Sequence, residues 1–532
     1  MSANAFWEFP NFSRRMPVLA SNIVSTTQPL ASQAGLRMLL AGGNAVDAAL
    51  ATAITLTVVE PVMNGIGGDC FVLVWHNGKL HGLNASGHAP AGWTPERFAG
   101  RDAMPPIGWD TVTVPGQVAG WAALSKKFGK LPFADLFAPA IDYAANGFPV
   151  SPIIARQWAT QAVKLAEQPG YAQAFIPRGS TPKAGDIWRF PAQARTLQRI
   201  AQSMGEDFYH GELAEQIAAF AAKTGGVLTK QDLAEHECDW VEPISMNYRD
   251  GYALHEIPPN GQGIAALMAL GMLDTFDAPK PGGLFDQFHL PIEAMKLAFA
   301  DLHEYVADPS FMEENLTQAM LDRDYLRRRA ALIDPRRASA PTAGLPGQGG
   351  TVYLNAADAS GMMVSYIQSN YHGFGSGVVV PDTGIALHNR GCGFSLKPGH
   401  RNQVGPRKRP MHTIIPGFIT KNGQPLAAMG VMGGNMQAQG HVQVMQQLVD
   451  LQRNPQAAID APRFRIEAGP RIMLEPHVPA SAADALVAAG HRIEPHAADS
   501  LEFGSSQIIQ KLPEGGYIAG SDPRRDGQAV GF

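Results

Sequence analysis

Between residues 29 and 60 apolar side chains recur at three- and four-residue spacing, the signature of helices that bury a face. Gly42-Gly43-Asn44 interrupts the pattern and Ala45 restarts it, so two helices are predicted, the second ending near Glu60-Pro61. A glycine-rich turn, Asn64-Gly-Ile-Gly-Gly-Asp69, comes next. The run 70–75 (CFVLVW) reads as a buried strand, Asn77-Gly78 as a hairpin turn and 80–83 as the return strand. From about 115 to 335 the pattern is mostly helical, most clearly over 291–305 (PIEAMKLAFADLHEY). Residues 335–350 (PRRASAPTAGLPGQGG) lose periodicity and have the composition of a mobile linker. Strand patterns then resume at 351–355 and 362–368, with a turn at 358–361 between them, and again at 378–380 and 414–415. A helix is predicted over 439–451, after Gly433-Gly434. Helices and strands mix throughout, as in a layered α+β fold.

The chain has 532 residues, 45% of them hydrophobic, which is ample for a large core. Its formal net charge of -5 argues against nucleic acid as a partner, because no basic stripe is present. The clusters Arg327-Arg328-Arg329 and Arg407-Lys408-Arg409 are too short for that role. The most apolar stretch, 48–59, is too short to span a bilayer and carries several Thr, so no membrane association is expected. Cys70, Cys238 and Cys392 form no CxxC pair and no disulfide framework. With no evident signal peptide, these features point to a cytoplasmic protein. No HExxH, zinc spacing, Walker A sequence or GxSxG elbow occurs, and no metal or organic cofactor is expected.

Thr351 follows Gly349-Gly350 at the end of the linker-like run. A threonine hydroxyl is a weak nucleophile that needs an adjacent base. Cleavage between Gly350 and Thr351 would supply one, because the freed α-amine has a pKa of about 7.7–8.0. The alternative role for Thr351 is simply the first residue of a strand.

Several separated segments resemble the gamma-glutamyltransferase superfamily of N-terminal-nucleophile hydrolases. They include GGNAVDAALATAITLTVVEPVMNGIGGDCF, TVPGQVAGW ending at Trp121, IEAMKLAFAD (292–301) and SDPRRDG (521–527). GFGSGVVVPDTGIALHNRGCGFS (373–395), KRPMHTIIP (408–416) and GVMGGNMQAQGH (430–441) complete the set. The resemblance implies a four-layer α-β-β-α sandwich. It implies a large chain of residues 1–350 and a small chain of 351–532 that share one core and associate as a heterodimer, or as a dimer of such heterodimers. It makes Thr351 the nucleophile and places Ser369 where a second hydroxyl meets the nucleophile's amine. Gly433 and Gly434 fall on the paired glycines whose amides form an oxyanion hole.

The departures from the family pattern bear on substrate. Arg390 and Gly393 stand where gamma-glutamyl enzymes clamp the substrate ammonium, and Ser86 stands where the family has a carboxylate-binding Arg. His412-Thr413 replaces a Ser-Ser pair, and Tyr371, beside Asn370, replaces an Asn near the nucleophile. A guanidinium repels an ammonium and suits a carboxylate. The expected substrate is therefore a small anionic amide, bound by Arg390, Asn370, Tyr371, His412 and Thr413. Within the superfamily the chain is most similar to oxamate amidohydrolases of purine and allantoin breakdown, which implies conversion of oxamate to oxalate and ammonia. The alternatives are a gamma-glutamyltransferase or glutathione hydrolase, and an inactive binding homologue.

Overall fold

The computed structural model describes residues 15–280, 282–341, 350–497 and 500–532. The two early helices form as the spacing implies, over Pro29–Leu40 and Ala45–Val59. The second starts on a capping box. The Asn44 side chain accepts the amides of Val46 and Asp47 at 3.0 Å, and Asp47 accepts the Asn44 amide at 2.9 Å. All fifteen residues of that helix are buried. Two of its hydroxyls are satisfied within the helix, Thr52 donating to the Ala48 carbonyl and Thr57 to that of Ile54.

Two seven-stranded sheets stack face to face, and every strand pair within them is antiparallel. Across the first sheet the strands run Gln528–Gly531, Ile23–Thr26, Gly350–Ala357, Met363–Tyr371, Asp69–His76, Lys79–Ala85 and Asp239–Val241. The second runs Val18–Ala20, Tyr517–Ser521, Ser505–Lys511, Gln424–Met432, Gly417–Lys421, Tyr252–Glu256 and Ile244–Tyr248. The helices at 29–59 cover the outer face of the first sheet, and Gly263–Leu273 and Met436–Met445 cover the second. The result is a four-layer α-β-β-α sandwich, as the sequence led us to expect. Polar pegs cross the sheet interface. Asn355 Nδ2 donates to the Ala428 carbonyl at 3.1 Å, and Ser25 Oγ donates to Gln507 Oε1 at 2.6 Å. Both sheets mix strands from before residue 350 with strands from 350 onward.

Some local expectations change. Asp239–Val241, Ile244–Tyr248 and Tyr252–Glu256 are strands inside the region read as mostly helical. Ile414-Ile415 forms no strand, since Pro416 follows it and the next strand starts at Gly417. The helix expected at 439 begins earlier, at Met436, and ends in a wider turn over Gln446–Asp450. The linker-like run is tethered at its start. Ser339 donates its amide to Glu293 Oε2 at 2.9 Å, and Lys296 Nζ bridges Glu293 Oε1 (2.7 Å) and the Ser339 carbonyl (2.9 Å). Residues 342–349 of that run lie outside the described residues. No helix among the described residues is long and apolar enough to cross a membrane.

Candidate active site

Thr351 lies in a central strand of the first sheet and is fully buried. Its strand pairs with Met363–Tyr371 in a register that shifts between Gly350 and Val352, so Gly350 faces Tyr371 and Val352 faces Gln368. This bulge turns the Thr351 side chain onto Ser369, with Oγ1 and Oγ 3.2 Å apart. Gln437 Nε2 donates to the same Thr351 Oγ1 at 3.2 Å. Ser369 Oγ also accepts the Tyr371 amide at 2.7 Å. That bond holds Tyr371 at φ 74°, a conformation that bulky residues rarely adopt.

The turned Tyr371 ring lies 4.3 Å from the Arg390 guanidinium carbon. Arg390 is fully buried on the short 3₁₀ turn Arg390–Gly393 and donates from Nη1 to Thr413 Oγ1 at 2.8 Å. Its Nε approaches Asp69 Oδ2 at 3.7 Å. Neither Nε nor Nη2 finds a hydrogen-bond acceptor among the described residues. Asn370 is equally buried, and both of its amide atoms lack partners there. Orphaned polar groups of this kind mark a place where a polar ligand would be satisfied.

Asp69 is the hub that sequence reading missed. Its Oδ2 lies 2.9 Å from His412 Nε2 and 3.1 Å from His388 Nδ1. Burial works to raise its pKa, but His388 and His412 outweigh that and hold the carboxyl below the usual range. Burial and then Arg390 push His412 down to about 3. Burial lowers Arg390 to about 10, against the pull of Asp69. At neutral pH the cluster is therefore an ionised Asp69, a charged Arg390 and a neutral His412. The Ile414 amide points at His412 Nδ1 at 3.3 Å, which leaves Nε2 as the protonated nitrogen facing Asp69.

Gly433 and Gly434 follow the strand Gln424–Met432 and precede the helix Met436–Met445. Their φ values of 127° and 61° favour glycine and turn the chain sharply at the end of that central strand. Among the described residues no acceptor takes either amide. The Gly434 carbonyl accepts the Gln437 amide at 3.1 Å and Gln262 Nε2 at 2.9 Å. Gln262 Nε2 also reaches the Thr413 carbonyl at 2.5 Å. Contacts thus close a ring through Thr351, Ser369, Tyr371, Arg390, Thr413, Gln262, Gly434 and Gln437. A cavity of about 430 Å³ opens beside Gly433, with Met63, His372, Lys164, Arg465 and Arg525 in its lining.

A profile of the family described as gamma-glutamyltranspeptidase matches residues 31–532. The chain belongs to the gamma-glutamyltranspeptidase family. It is 37% identical over 512 residues to the glutathione hydrolase-like YwrD proenzyme of Bacillus subtilis, covering 94% of this chain and 97% of that one. It is 36% identical over 516 residues to the oxamate amidohydrolase proenzyme of Klebsiella pneumoniae, with the same coverage of 94% and 97%. The crystal structure of cephalosporin acylase from Bacillus halodurans superimposes with a TM-score of 0.94 at 50% identity, covering 99% of this chain and 98% of that one. The fold is therefore that of the N-terminal-nucleophile amidohydrolases and acylases.

Every site residue that the family resemblance picked out falls on or beside this ring. Gln262 and Gln437 were not singled out, and neither was Asp69 or His388. Two positions at the edges of the family pattern are plainly structural. Ser86 is buried and donates to Asn84 Oδ1 at 2.7 Å. At Gly393 an added Cβ would sit 2.6 Å from the Met411 carbonyl oxygen, so no side chain fits without moving backbone. An acidic clamp for a substrate ammonium has no room there.

Proposed function

We propose that the chain cuts itself between Gly350 and Thr351 and then hydrolyses a small carboxylate-bearing amide through a Thr351 acyl-enzyme. The observation that carries this reading is the ring of contacts that sets Thr351 Oγ1 between Ser369 and Gln437, whose own amide is held by the Gly434 carbonyl. In maturation Thr351 Oγ attacks the Gly350 carbonyl carbon, the peptide C–N bond breaks, and water hydrolyses the resulting ester. The freed α-amine then serves as base. In turnover it takes the Oγ proton as Oγ bonds to the amide carbon, and the proton leaves with the departing amine. The amides of Gly433 and Gly434 stabilise the oxyanion. Residues 1–350 and 351–532 become the two associated chains, in line with the proenzyme names of the relatives.

The unpartnered Nε and Nη2 of Arg390 and the amide of Asn370 support a carboxylate next to the scissile carbonyl. Oxamate, whose carboxylate adjoins its amide, is the substrate we put first, and the oxamate amidohydrolase relative supports it. A second reading, an acylase for a bulkier amide, is favoured by the cavity of about 430 Å³ and by the likeness to cephalosporin acylase.

The test has two stages. Denaturing electrophoresis should show two pieces, the smaller beginning Thr-Val-Tyr-Leu, and T351A should remain one chain. The mature enzyme is then given oxamate, N-(4-nitrophenyl)oxamate, a cephalosporin side-chain amide and gamma-glutamyl-4-nitroanilide. Fastest turnover of the oxamates supports the first reading, and preference for the cephalosporin amide supports the second. Preference for the glutamyl compound would replace both with a glutathione hydrolase.

A further inference from the structure

Gln437 is fully buried, in the first turn of the helix Met436–Met445. Its side chain has no rotational choice. Oε1 accepts the Ile415 amide at 2.9 Å, which forces the amino group toward Thr351, and Nε2 donates to Thr351 Oγ1 at 3.2 Å. Its own amide is anchored on the Gly434 carbonyl at 3.1 Å. One residue therefore links the glycine turn, the 411–416 segment and the nucleophilic oxygen.

We infer that Gln437 is a catalytic residue that stabilises Thr351 Oγ as a leaving group in breakdown of the acyl-enzyme. This rests on Thr351 being the nucleophile. An amide N–H cannot accept a proton, so Gln437 is not a base. As a donor it acts where charge builds on Oγ. During acylation Oγ loses its proton to the α-amine while giving an electron pair to the carbonyl carbon, so the charge left on Oγ is drawn into the forming bond and a donor there matters less. During deacylation water attacks the ester carbon and passes a proton to the α-amine. The C–Oγ bond then breaks, its electron pair returns to Oγ, and Oγ takes a proton from the ammonium. As the C–Oγ bond breaks, negative charge returns to Oγ, and the Nε2–H bond strengthens with it. The same bond breaks in maturation, when the Gly350–Thr351 ester is hydrolysed.

The contribution is thus asymmetric. Loss of the donor should slow deacylation until it limits turnover, lowering kcat about ten- to a hundredfold while kcat/KM, set by acylation, changes by less than about threefold. KM should fall in parallel with kcat. A residue that only props up the fold would lower both parameters together.

The experiment uses Q437E and Q437M with N-(4-nitrophenyl)oxamate, or with whichever chromogenic amide the wild type cleaves. Q437E keeps an acceptor for Ile415 and removes the donor; Q437M removes both. Stopped-flow release of 4-nitroaniline should change from steady turnover to a burst of one equivalent followed by a slow phase. Mass spectrometry should find the acyl group on the Thr351 peptide. Equal losses in kcat and kcat/KM, or no loss of kcat, would overturn the inference. A variant that stays uncut should accumulate a hydroxylamine-sensitive ester at Gly350–Thr351, and a stalled chain without that ester also overturns it. An acyl group on a residue other than Thr351 in the wild type would sink the nucleophile assignment itself, whereas normal deacylation in Q437E with Thr351 acylated removes Gln437 alone.

Discussion

Arg390 has one donor committed to Thr413 and two nitrogens with no acceptor, all in the fully buried interior. Its charge is only partly balanced, since Asp69 stands 3.7 Å away and also faces two histidines. A substrate carboxylate would complete the pairing. R390Q should therefore weaken binding of an anionic amide by about 2 kcal/mol or more, roughly thirtyfold in KM. The loss belongs in KM, because the carboxylate contact is the same in ground and transition states. Loss of the guanidinium also relieves His412, whose pKa should rise from about 3, a change that NMR of the imidazole would report. Unchanged KM for every anionic amide would remove Arg390 from substrate binding. Pairing this change with G393D, attractive from sequence alone, is not expected to build a glutamyl clamp, because the Met411 carbonyl already fills the space.

The helix Ala45–Val59 ends on Glu60, which is buried and bonded to Thr27 Oγ1 at 2.6 Å. Burial pushes its pKa up to about 7 from 4.5, against that hydrogen bond and the charge of Arg525. The folded state thus holds this proton more tightly than the unfolded state. Its contribution to stability is fully present below about pH 4.5 and is lost as pH rises through about 7. E60Q never has to ionise. Its stability relative to wild type should rise between pH 4.5 and 7 by at most about 3 kcal/mol. Thermal unfolding at pH 5 and pH 8 measures this, and melting curves for the two proteins that shift in parallel would refute it. At this scale the sequence was informative for what is local. The helix break at Gly42-Gly43-Asn44, the hairpin at Asn77-Gly78 and the strand after Gly350 all followed from spacing and turn chemistry. Short strands such as Ile244–Tyr248 did not, because five residues carry too little alternation to stand out among helices. The Asp69 cluster was invisible for a different reason. Its bond to His412 spans 343 residues, and no spacing rule connects positions that only the sheets bring together.

In the whole molecule, the first sheet places Gly350–Ala357 between Ile23–Thr26 and Met363–Tyr371, and ends on Gln528–Gly531 beside Ile23–Thr26. A cut before Thr351 would divide the covalent chain without dividing any layer. The two products should co-elute as one particle on gel filtration and separate only in denaturant. Release of either piece under native conditions would contradict a shared core. The tether at Ser339 gives the cut a further consequence. Eleven residues, 340 to 350, separate it from the cut, and a chain of that length reaches at most about 36–40 Å. If the chain is cut there, the first acid it makes is the carboxyl terminus of its own large chain, still joined to the Ser339 tether. Such an end would compete for the site at a millimolar-scale local concentration. A substrate would then have to displace it, and the affinity seen in solution would be that of an enzyme partly occupied by itself.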